Sequence, residues 1–491
     1  MNMRISVSSL VLALASAASA APSVTILSCA QDAETREVRV EYRLTGEPAI
    51  VTLGLASADG TAVPDAKVVG ACGDVCRRLG PNAVGESYVA YWTPGKELQG
   101  LDFSDGAKIT LTAWPETNPP DWMLASLDVE HAVSYYADMA QVPGAIAGDS
   151  FKRAGLLMRH VRAKGRSFTM GADPSEAGDD SLGNETQHTV TFTNDFWMGA
   201  FPFTQGQYIV LTTKISPSYT ATAKTDENVL KFPDYEFRSL EQYSYEFVRG
   251  STGADWPTDG HTVAPGSLMD ALRDRTGVDG FDLPTEAEWE YACRAGTTTP
   301  LNSGKEYSTV NALEVAWSVQ NNPSGDAATM TLGLKPPNAW GLYDMHGNIL
   351  EMCLDWYQAD LGSDPVTAPK GPDTGDFRVL RGGGMCRSNG ALRQRVRSAS
   401  RLPNDKDSTA VTPLMVGFRP ACEIAAGEDD DPVTVSADLA SFAVLSPVLC
   451  AETTGHGTVE NPFEAWDRDF DGAIIDRFSS FPLTGILLMV R

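Results

Sequence analysis

Residues 337–351, with the sequence PNAWGLYDMHGNILE, constrain the possible folds of this chain more than any other stretch. Two carboxylates, Asp344 and Glu351, flank a turn at Gly347, and glycine permits backbone angles that other residues avoid. Aromatic residues crowd the same short segment. The stretch therefore favours a folded loop over a regular helix or strand.

The same loop carries oxygen atoms suited to a cation. In the pattern Asp344-x-x-Gly347-x-Ile349-x-Glu351, the carboxylates flank backbone carbonyls that can point inward. Hard oxygen ligands of this kind favour calcium. The sequence therefore predicts a calcium site, and the alternative is a surface turn with two solvated acids.

Charge limits the partners of this chain. Its 491 residues include 64 acidic and 38 basic ones, which gives a formal net charge of -26. This field repels phosphate backbones and anionic lipid surfaces, so nucleic acid is not expected as a partner. The acidity also suits divalent cations, although a solvated acidic surface is the simpler interpretation.

Residues 1–20 have the zones of a signal peptide. Arg4 supplies positive charge, a mostly apolar run covers 5–15, and small residues lead to Ala20, after which we expect cleavage. No later run approaches the roughly 18 to 20 apolar residues that cross a bilayer, so no membrane span is expected. The mature chain is predicted to be secreted, periplasmic or held at the cell surface.

Residues 21–118 contain short β-rich runs separated by turn residues. Apolar and polar residues alternate at 38–42, which points one face of a strand inward and the other to water. The pattern predicts an antiparallel β-sandwich of immunoglobulin or fibronectin type, with a spacer or adhesion role. The sequence NPPD at 118–121 breaks regular structure and opens a connector over 119–150.

Residues 151–423 have sparse regular structure, long loops and many Trp, Gly and Asn residues. One helix is clear, because Thr285 can cap its start and Glu288 completes a capping box three residues later. Cys293 lies at helical spacing from Trp289. We therefore expect Cys293 to be a packed or bridged core thiol rather than a nucleophile.

Six motifs of this region occur in the order seen in the sulfatase-modifying-factor family, which includes formylglycine-generating enzymes. They are FTMG at 168–171, FWMG at 196–199 with FTQGQY at 203–208, LPTEAEWE at 283–290, the 337–351 loop, RVLRGGG at 378–384, and VGFR at 416–419. The chain resembles a formylglycine-generating-enzyme domain over 151–423. The resemblance implies an α+β fold in which a C-type-lectin-like, loop-rich domain follows the β-sandwich.

The resemblance also implies a chemistry. The family oxidises a substrate cysteine to formylglycine with dioxygen at a copper(I) centre held by two cysteines five residues apart, and soft thiolates suit copper(I). Cys386 lies within one position of the first family thiol, but Ala391 stands five residues later and Leu392 follows. Cys386 is thus the candidate catalytic residue of an incomplete pair. The alternatives are a disulfide with Cys353 in an oxidising compartment, or a buried thiol.

For the 337–351 loop, the resemblance implies calcium ligation by the side chains of Asp344 and Glu351 and by the main chain of Gly347 and Ile349. The family's second calcium site is not evident in 316–332.

Other site chemistries find little support in the sequence. The six histidines are scattered, which disfavours iron, and no G-x-S-x-G pattern marks a nucleophilic serine. Zinc is disfavoured because no histidine lies beside the close cysteine pair at 72 and 76. A basic run can bind an acidic ligand from one face of a strand, or it can pair with surface carboxylates. Its members are Arg387, Arg393, Arg395, Arg397 and Arg401.

Residues 424–491 are predicted to form an acidic linker and a C-terminal tail. The linker is GEDDDP at 427–432. The sequence DRDFDG at 467–472 matches the first half of a calcium loop, but Phe478 stands where such loops carry Glu. A polar turn is the simpler interpretation there, and a short strand is expected at 486–490.

The sequence is compatible with two functions. The first is an exported enzyme that modifies a sulfatase cysteine, with copper and calcium as cofactors. The second is a non-catalytic, lectin-like protein that binds a protein or glycan partner at the cell exterior. The missing second thiol favours a catalytically degenerate protein.

Overall fold

The structure, a computed structural model, describes residues 20–144, 150–173, 176, 185–214, 216, 218, 232–250, 255–323, 328–386, 392, 395–404, 416–424 and 431–444. Within these ranges the chain is mixed α/β, with mostly strands and few helices. No helix in them has the length and apolar character needed to span a membrane. The expected signal peptide up to residue 19 lies outside the described residues. The motif at 467–478 and the strand at 486–490 lie outside them too.

Seven strands form the described N-terminal part. They are β1 Ser23–Gln31, β2 Val38–Thr45, β3 Ala49–Ser57, β4 Cys72–Gly73, β5 Arg77–Leu79, β6 Tyr88–Trp92 and β7 Ala107–Pro115. One sheet has the order β1-β2-β6-β4, and β7-β3-β5 belong to a second sheet. Burial alternates strictly along β7, as expected of a strand with one face on a core.

The middle of the chain supplies shorter elements. The strands described there are β8 Trp122–Ser126, β9 Val133–Tyr136, β10 Gly155–Val161, β11 Ser167–Met170, β12 His188–Thr191, β13 Phe196–Gly199, β14 Phe281–Asp282, β15 Ala316–Trp317, β16 His346–Gly347, β17 Leu350–Trp356, β18 Val366–Thr367, β19 Arg378–Arg381, β20 Leu402–Pro403, β21 Val416–Phe418 and β22 Ala421–Glu423. The α-helices described are α1 Gln205–Thr212, α2 Tyr245–Val248, α3 Leu268–Thr276, α4 Glu286–Arg294 and α5 Thr309–Val315. Short 3-10 helices cover Asp65–Lys67, Lys96–Leu98, Met139–Gln141, Ser150–Lys152 and Tyr235–Phe237.

Two sheets position the sequence motifs. One has the order β20-β19-β17-β21, and the other has the order β14-β22-β13-β10-β8-β9. The segment 119–150, predicted to be a connector, supplies β8 and β9 to the second sheet. Strand β8 is an inner strand rather than a connector, because all of its residues are buried and it pairs with β10. In this pairing Met123 lies opposite Met158. The NPPD turn therefore precedes a core strand.

Helix α4 begins where its capping box predicts. The Thr285 hydroxyl accepts a hydrogen bond from the backbone N–H of Glu288, and the Glu288 carboxylate accepts one from the backbone N–H of Thr285. The helix ends at Arg294, where Ala295 adopts a left-handed conformation with φ 45°. Cys293 is fully buried, which confirms the expectation of a packed core thiol.

The last described strand, β23 Val433–Leu439, returns to the N-terminal part. It pairs with β7 in antiparallel fashion, from Val433 opposite Ala113 to Leu439 opposite Ala107. The full order of the second N-terminal sheet is therefore β23-β7-β3-β5. We call β1–β7 together with β23 the two-sheet unit. Residues 424–491, predicted to be linker and tail, thus contribute a strand to it.

Phe442 tests the contribution of this C-terminal segment. Its ring packs 6.1 Å from the ring of Trp92 and 5.0 Å from that of Phe103, measured between centroids. We expect Phe442→Ala to lower the free energy of unfolding of the two-sheet unit by about 3 kcal/mol, because the substitution leaves a cavity. Urea unfolding followed by tryptophan fluorescence measures the change. Ser436→Ala, at an exposed position of β23, is the control. Equal unfolding midpoints for the two variants would contradict this packing of Phe442 against Trp92 and Phe103.

Candidate functional site

Buried charges from five places in the chain, α4 among them, meet in one group. Helix α4 packs against β17 and β19, and β17 lies between β19 and β21. We call the group the charged core, and each of its members is at most 4% exposed. The members are Glu286, Glu290, Glu351, Asp355, Arg381, Arg401 and Arg419. An unpaired buried charge loses its hydration at high cost, so each of these groups needs an ion pair or a hydrogen bond.

Arg381 lies at the centre of the charged core. Its guanidinium is 2.8 Å from the Glu286 carboxylate and 3.0 Å from the Glu290 carboxylate. It also donates to the backbone carbonyls of Ser398 and Ser400. Burial lowers the pKa of Arg381, but the two carboxylates outweigh burial and raise that pKa. A charged Arg381 therefore ties α4 to the 398–400 segment.

Arg401 and Asp355 complete one side of the charged core. Arg401 binds both Glu286 oxygens, at 2.7 and 2.8 Å. Burial raises the pKa of Glu286, but Arg401 and Arg381 outweigh it and lower that pKa. Asp355 accepts the backbone N–H of Glu286 at 2.7 Å. Burial and the nearby charge of Glu286 raise the pKa of Asp355 to about 7. The pKa values of the neighbouring Glu286 and Asp355 carboxyl groups are thus shifted in opposite directions.

Glu351, a predicted calcium ligand, is held by protein groups on both of its oxygens. Arg419 donates to Oε1 at 2.9 Å and to Oε2 at 3.0 Å, and the Trp289 indole donates to Oε2 at 2.7 Å. Arg419 also donates to the backbone carbonyls of Gly199 and Tyr343. The positive partner of Glu351 in this structure is therefore Arg419.

Asp344, the other predicted carboxylate ligand, faces different neighbours. One of its oxygens accepts the backbone N–H of Gly333 at 2.7 Å, and the other accepts the Asn348 side-chain amide at 3.2 Å. Burial raises the pKa of Asp344, although these hydrogen bonds oppose the shift. Asp344 is thus bound to the protein through neutral donors.

The predicted main-chain ligands lie between these two carboxylates. The Gly347 carbonyl accepts the backbone N–H of Ile349 at 2.7 Å. In the described part of the chain, no three His, Cys, Asp or Glu side chains are arranged to hold a metal ion. Each carboxylate oxygen of Asp344 and Glu351 already accepts a protein hydrogen bond, so a calcium ion would share these oxygens with the present donors or displace them. Calcium binding by Asp344, Gly347, Ile349 and Glu351 stays a prediction.

The glycine-rich turn at 382–384 brings the two motifs together. Its three glycines all have positive φ, and Gly383 pairs in a parallel bridge with Gly347 of the 337–351 loop. A Cβ at Gly383 would lie 2.5 Å from the carbonyl oxygen of Arg395, so no other residue fits there. The turn directs the chain into Cys386.

Cys386, the candidate catalytic residue, is buried in an apolar cluster with Leu301, Leu392 and Val396. Its thiol donates to the carbonyl of Gly383 at 3.2 Å. Burial raises the pKa of Cys386 to about 11. Thiolates rather than thiols attack substrates and bind metals, so this environment suppresses the reactive form at neutral pH.

No other cysteine in the described part of the chain is bonded to Cys386. Cys353 lies on β17 in a different apolar cluster, and no disulfide joins Cys353 to Cys386. The disulfide considered from the sequence is therefore not formed. Leu392 is buried beside Cys386, and Ala391 lies outside the described residues. No other described cysteine belongs to the apolar cluster of Cys386, so the described residues do not fit a copper centre with two thiolates.

A cleft of about 420 Å³ lies beside the charged core. Arg294 lines it while donating to Glu290 at 2.9 Å and to the carbonyl of Gly171 at 2.8 Å. The rest of its wall is mainly polar. The polar side chains include Thr169, Asp173, Glu176, Gln187, Thr298, Thr299 and Glu306. Pro300 also lines the cleft, and the next residue, Leu301, packs in the cluster of Cys386.

The basic run considered from the sequence is divided by the fold. Arg397 binds both oxygens of Glu185, at 2.6 and 2.8 Å, and is 3.2 Å from Glu176. Arg401 pairs with Glu286. Both arginines thus belong to internal ion pairs, whereas Arg387 and Arg393 lie outside the described residues.

Sequence reasoning did not single out Arg381 and Arg419. Each lies in or beside a short strand in which every residue is buried, within RVLR at 378–381 and VGFR at 416–419. Arginine is almost never fully buried without a partner. An arginine in or beside an apolar strand could have indicated a buried ion pair. Its carboxylate partners could not be identified in this way, because they are distant in sequence.

Glu351→Gln distinguishes the ion pair from a calcium site. We expect this variant to lower the melting temperature by the same amount with calcium and with chelator, because it leaves the buried Arg419 without its counter-charge. Loss of one partner of a buried pair costs about 3–5 kcal/mol. Calorimetry of Glu351→Gln beside the exposed control Glu246→Gln makes the measurement. A loss confined to the calcium-containing sample would establish a calcium ligand instead.

Asp355→Asn tests the titration of the charged core. The folded pKa of Asp355, about 7, exceeds its ordinary value of 3.8, so the folded state binds the extra proton between these values. The stabilising contribution of Asp355 therefore falls as pH rises through this window. As pH rises from about 5 to about 8, we therefore expect the free energy of unfolding of Asp355→Asn to increase relative to that of the native chain. Urea unfolding at both pH values, with exposed Asp279→Asn as control, measures this. A constant difference would contradict the shift.

Comparison with known proteins places this site in a family. The family described as "Sulfatase-modifying factor enzyme 1-like domain" matches residues 149–424, which is more than half of the chain. "Formylglycine-generating enzyme" from Mus musculus is 28% identical over 319 residues, covering 60% of this chain and 82% of the mouse protein. "Formylglycine-generating enzyme" from Thermomonospora curvata is 36% identical over 186 residues, covering 35% of this chain and 59% of that protein. Among solved structures, "Treponema denticola variable protein 1" is 23% identical with a TM-score of 0.40, covering 55% of this chain and 95% of that one. The chain belongs to the sulfatase-modifying-factor enzyme family.

Proposed function

We propose that this chain is a catalytically degenerate member of its family that binds a protein or glycan partner. The environment of Cys386 carries the proposal. The thiol is 2% exposed, lies among apolar side chains and donates to a backbone carbonyl. Burial raises the pKa of Cys386 to about 11, which opposes the thiolate that copper(I) and nucleophilic chemistry require.

The sequence around Cys386 adds a second argument. Residues 387–392 read RSNGAL and hold neither cysteine nor histidine. Met385 is fully buried and offers only a thioether. Cys353 belongs to another apolar cluster. A two-thiolate centre therefore has no second member among these neighbours.

The cleft beside the charged core is the place where we expect a partner to bind. Its threonine hydroxyls, glutamine amide and carboxylates offer donors and acceptors to a glycan or an extended polypeptide. Arg294 is fixed by Glu290 and by the carbonyl of Gly171, so this part of the cleft wall is preorganised. Preorganised polar groups lose little entropy when a ligand binds.

We further infer that the protein works outside the cytoplasm. The charged, apolar and small-residue zones of 1–20 support export. The two-sheet unit has one apolar cluster shared by both sheets, which supports the β-sandwich interpretation and a spacer or adhesion role. The many loops and short strands of the family domain suit the C-type-lectin-like description.

A second candidate is formylglycine generation on a sulfatase, favoured by family membership and by the place of Cys386 after the RGGG turn. Copper-loaded protein, a Cys-x-Pro-x-Arg peptide and air, followed by mass spectrometry, separate the two functions. We expect no aldehyde product under conditions in which the Thermomonospora curvata relative serves as positive control. Aldehyde that disappears in Cys386→Ser would overturn the non-catalytic proposal.

Binding is tested by a bulky substitution in the cleft. We expect Thr298→Arg to abolish binding on a glycan or peptide array, because the arginine side chain fills the cleft. Ser104→Arg, at an exposed position of the two-sheet unit, introduces the same charge elsewhere and should bind normally. Retained binding by Thr298→Arg would place the binding surface away from the cleft.

A further inference from the structure

His261 joins carboxylates from two neighbouring strands. Its Nδ1 atom lies 3.0 Å from an oxygen of Asp282 on β14, and its Nε2 atom lies 3.6 Å from an oxygen of Glu423 on β22. Strands β14 and β22 are hydrogen-bonded neighbours. The imidazole thus fastens the loop 255–264 to the end of the six-stranded sheet.

The surroundings hold the imidazole in this position. The Trp256 ring packs against it with centroids 4.8 Å apart, and Arg273 donates to the His261 carbonyl at 2.7 Å. Asp282 is 1% exposed and accepts hydrogen bonds from Arg249 at 2.8 and 3.1 Å. The side chain of His261 is 30% exposed, so protons reach it from solvent.

We propose that His261 is a pH-responsive latch between the loop 255–264 and β22. A protonated imidazole donates a hydrogen bond to Asp282 through Nδ1 and attracts the Glu423 carboxylate across 3.6 Å through Nε2. A neutral imidazole keeps one N–H, which stays with the buried and better-placed Asp282. Its other nitrogen then presents a lone pair to Glu423. The contact to β22 is thus the one that opens as pH rises.

The charged groups around His261 set the working range of the latch. Carboxylates face it from β14, α4 and β22, namely Asp282, Glu288 and Glu423, and cations are contributed by Arg249 and Arg273. Burial lowers the pKa of His261, but Asp282, Glu288 and Glu423 outweigh burial and raise it above 6.5. Stability from the latch is therefore full below pH 6.5 and is lost as pH rises through the higher folded value.

Other contacts hold Glu423 and the end of β22 in place when the latch opens. Glu423 ends β22, and the backbone N–H of the next residue, Ile424, donates to the carbonyl of Asp195. Glu423 also accepts the side-chain amide of Asn194 at 3.0 Å. Opening the latch leaves these contacts in place and removes one contact of the 255–264 loop, which keeps its hydrogen bonds to Asp282 and Arg273. The expected change is thus local loosening of that loop rather than unfolding.

Nuclear magnetic resonance titration of the histidine rings tests the latch in the full chain. We expect Glu423→Gln to move the His261 midpoint toward lower pH, while exposed His131 keeps its own midpoint as an internal reference. The control Glu246→Gln should leave both midpoints unchanged. An unchanged His261 midpoint in Glu423→Gln would overturn the proposal.

Hydrogen exchange gives the second readout. After correction for intrinsic rates, we expect the 255–264 loop of the native chain to exchange several-fold faster at about pH 8.5 than at about pH 6, because the latch opens as His261 loses its proton. His261→Gln should remove this difference without a change in the exchange of β17. A loop whose protection is independent of pH in the native chain would also overturn the latch.

Discussion

The ion pairs of Arg381 with Glu286 and Glu290 are the contacts on which the rest of the domain depends. They join α4 to β19, and through the carbonyls of Ser398 and Ser400 they also fix the segment that follows Cys386. A buried charge left without its partner costs about 3–5 kcal/mol, so displacing one of these elements destabilises the others. The regular structure around them is short and gives little stability of its own.

Three of the family motifs supply the ion pairs of this scaffold. LPTEAEWE supplies Glu286 and Glu290, RVLR supplies Arg381, and the end of VGFR supplies Arg419, the partner of Glu351. All of these residues are buried and paired. Every one of these pairs forms without a contribution from Cys386, so the scaffold does not depend on the candidate catalytic residue.

The sequence predicted local features well and long-range ones poorly. Turn chemistry and alternation are local, so the α4 capping box, the early strands and the burial of Cys293 were predictable. The return of β23 to β7 was not, because its partner lies more than 300 residues earlier. Within the site, the sequence pattern placed Asp344 and Glu351 in one loop. Only the fold shows that the Arg419 guanidinium forms an ion pair with the Glu351 carboxylate. The cleft beside Arg294 left no motif at all, since distant segments form it.

The return of β23 also bears on how the chain matures. Strand β7 finishes at Pro115, whereas its outer neighbour begins at Val433, after the whole family domain has been synthesised. Until then one edge of β7 has unpaired backbone groups, which makes it a template for association with other chains. The family domain must therefore leave this edge accessible while it folds. A delay in that step lengthens the period in which a chaperone, or a second nascent copy, competes for the place of β23.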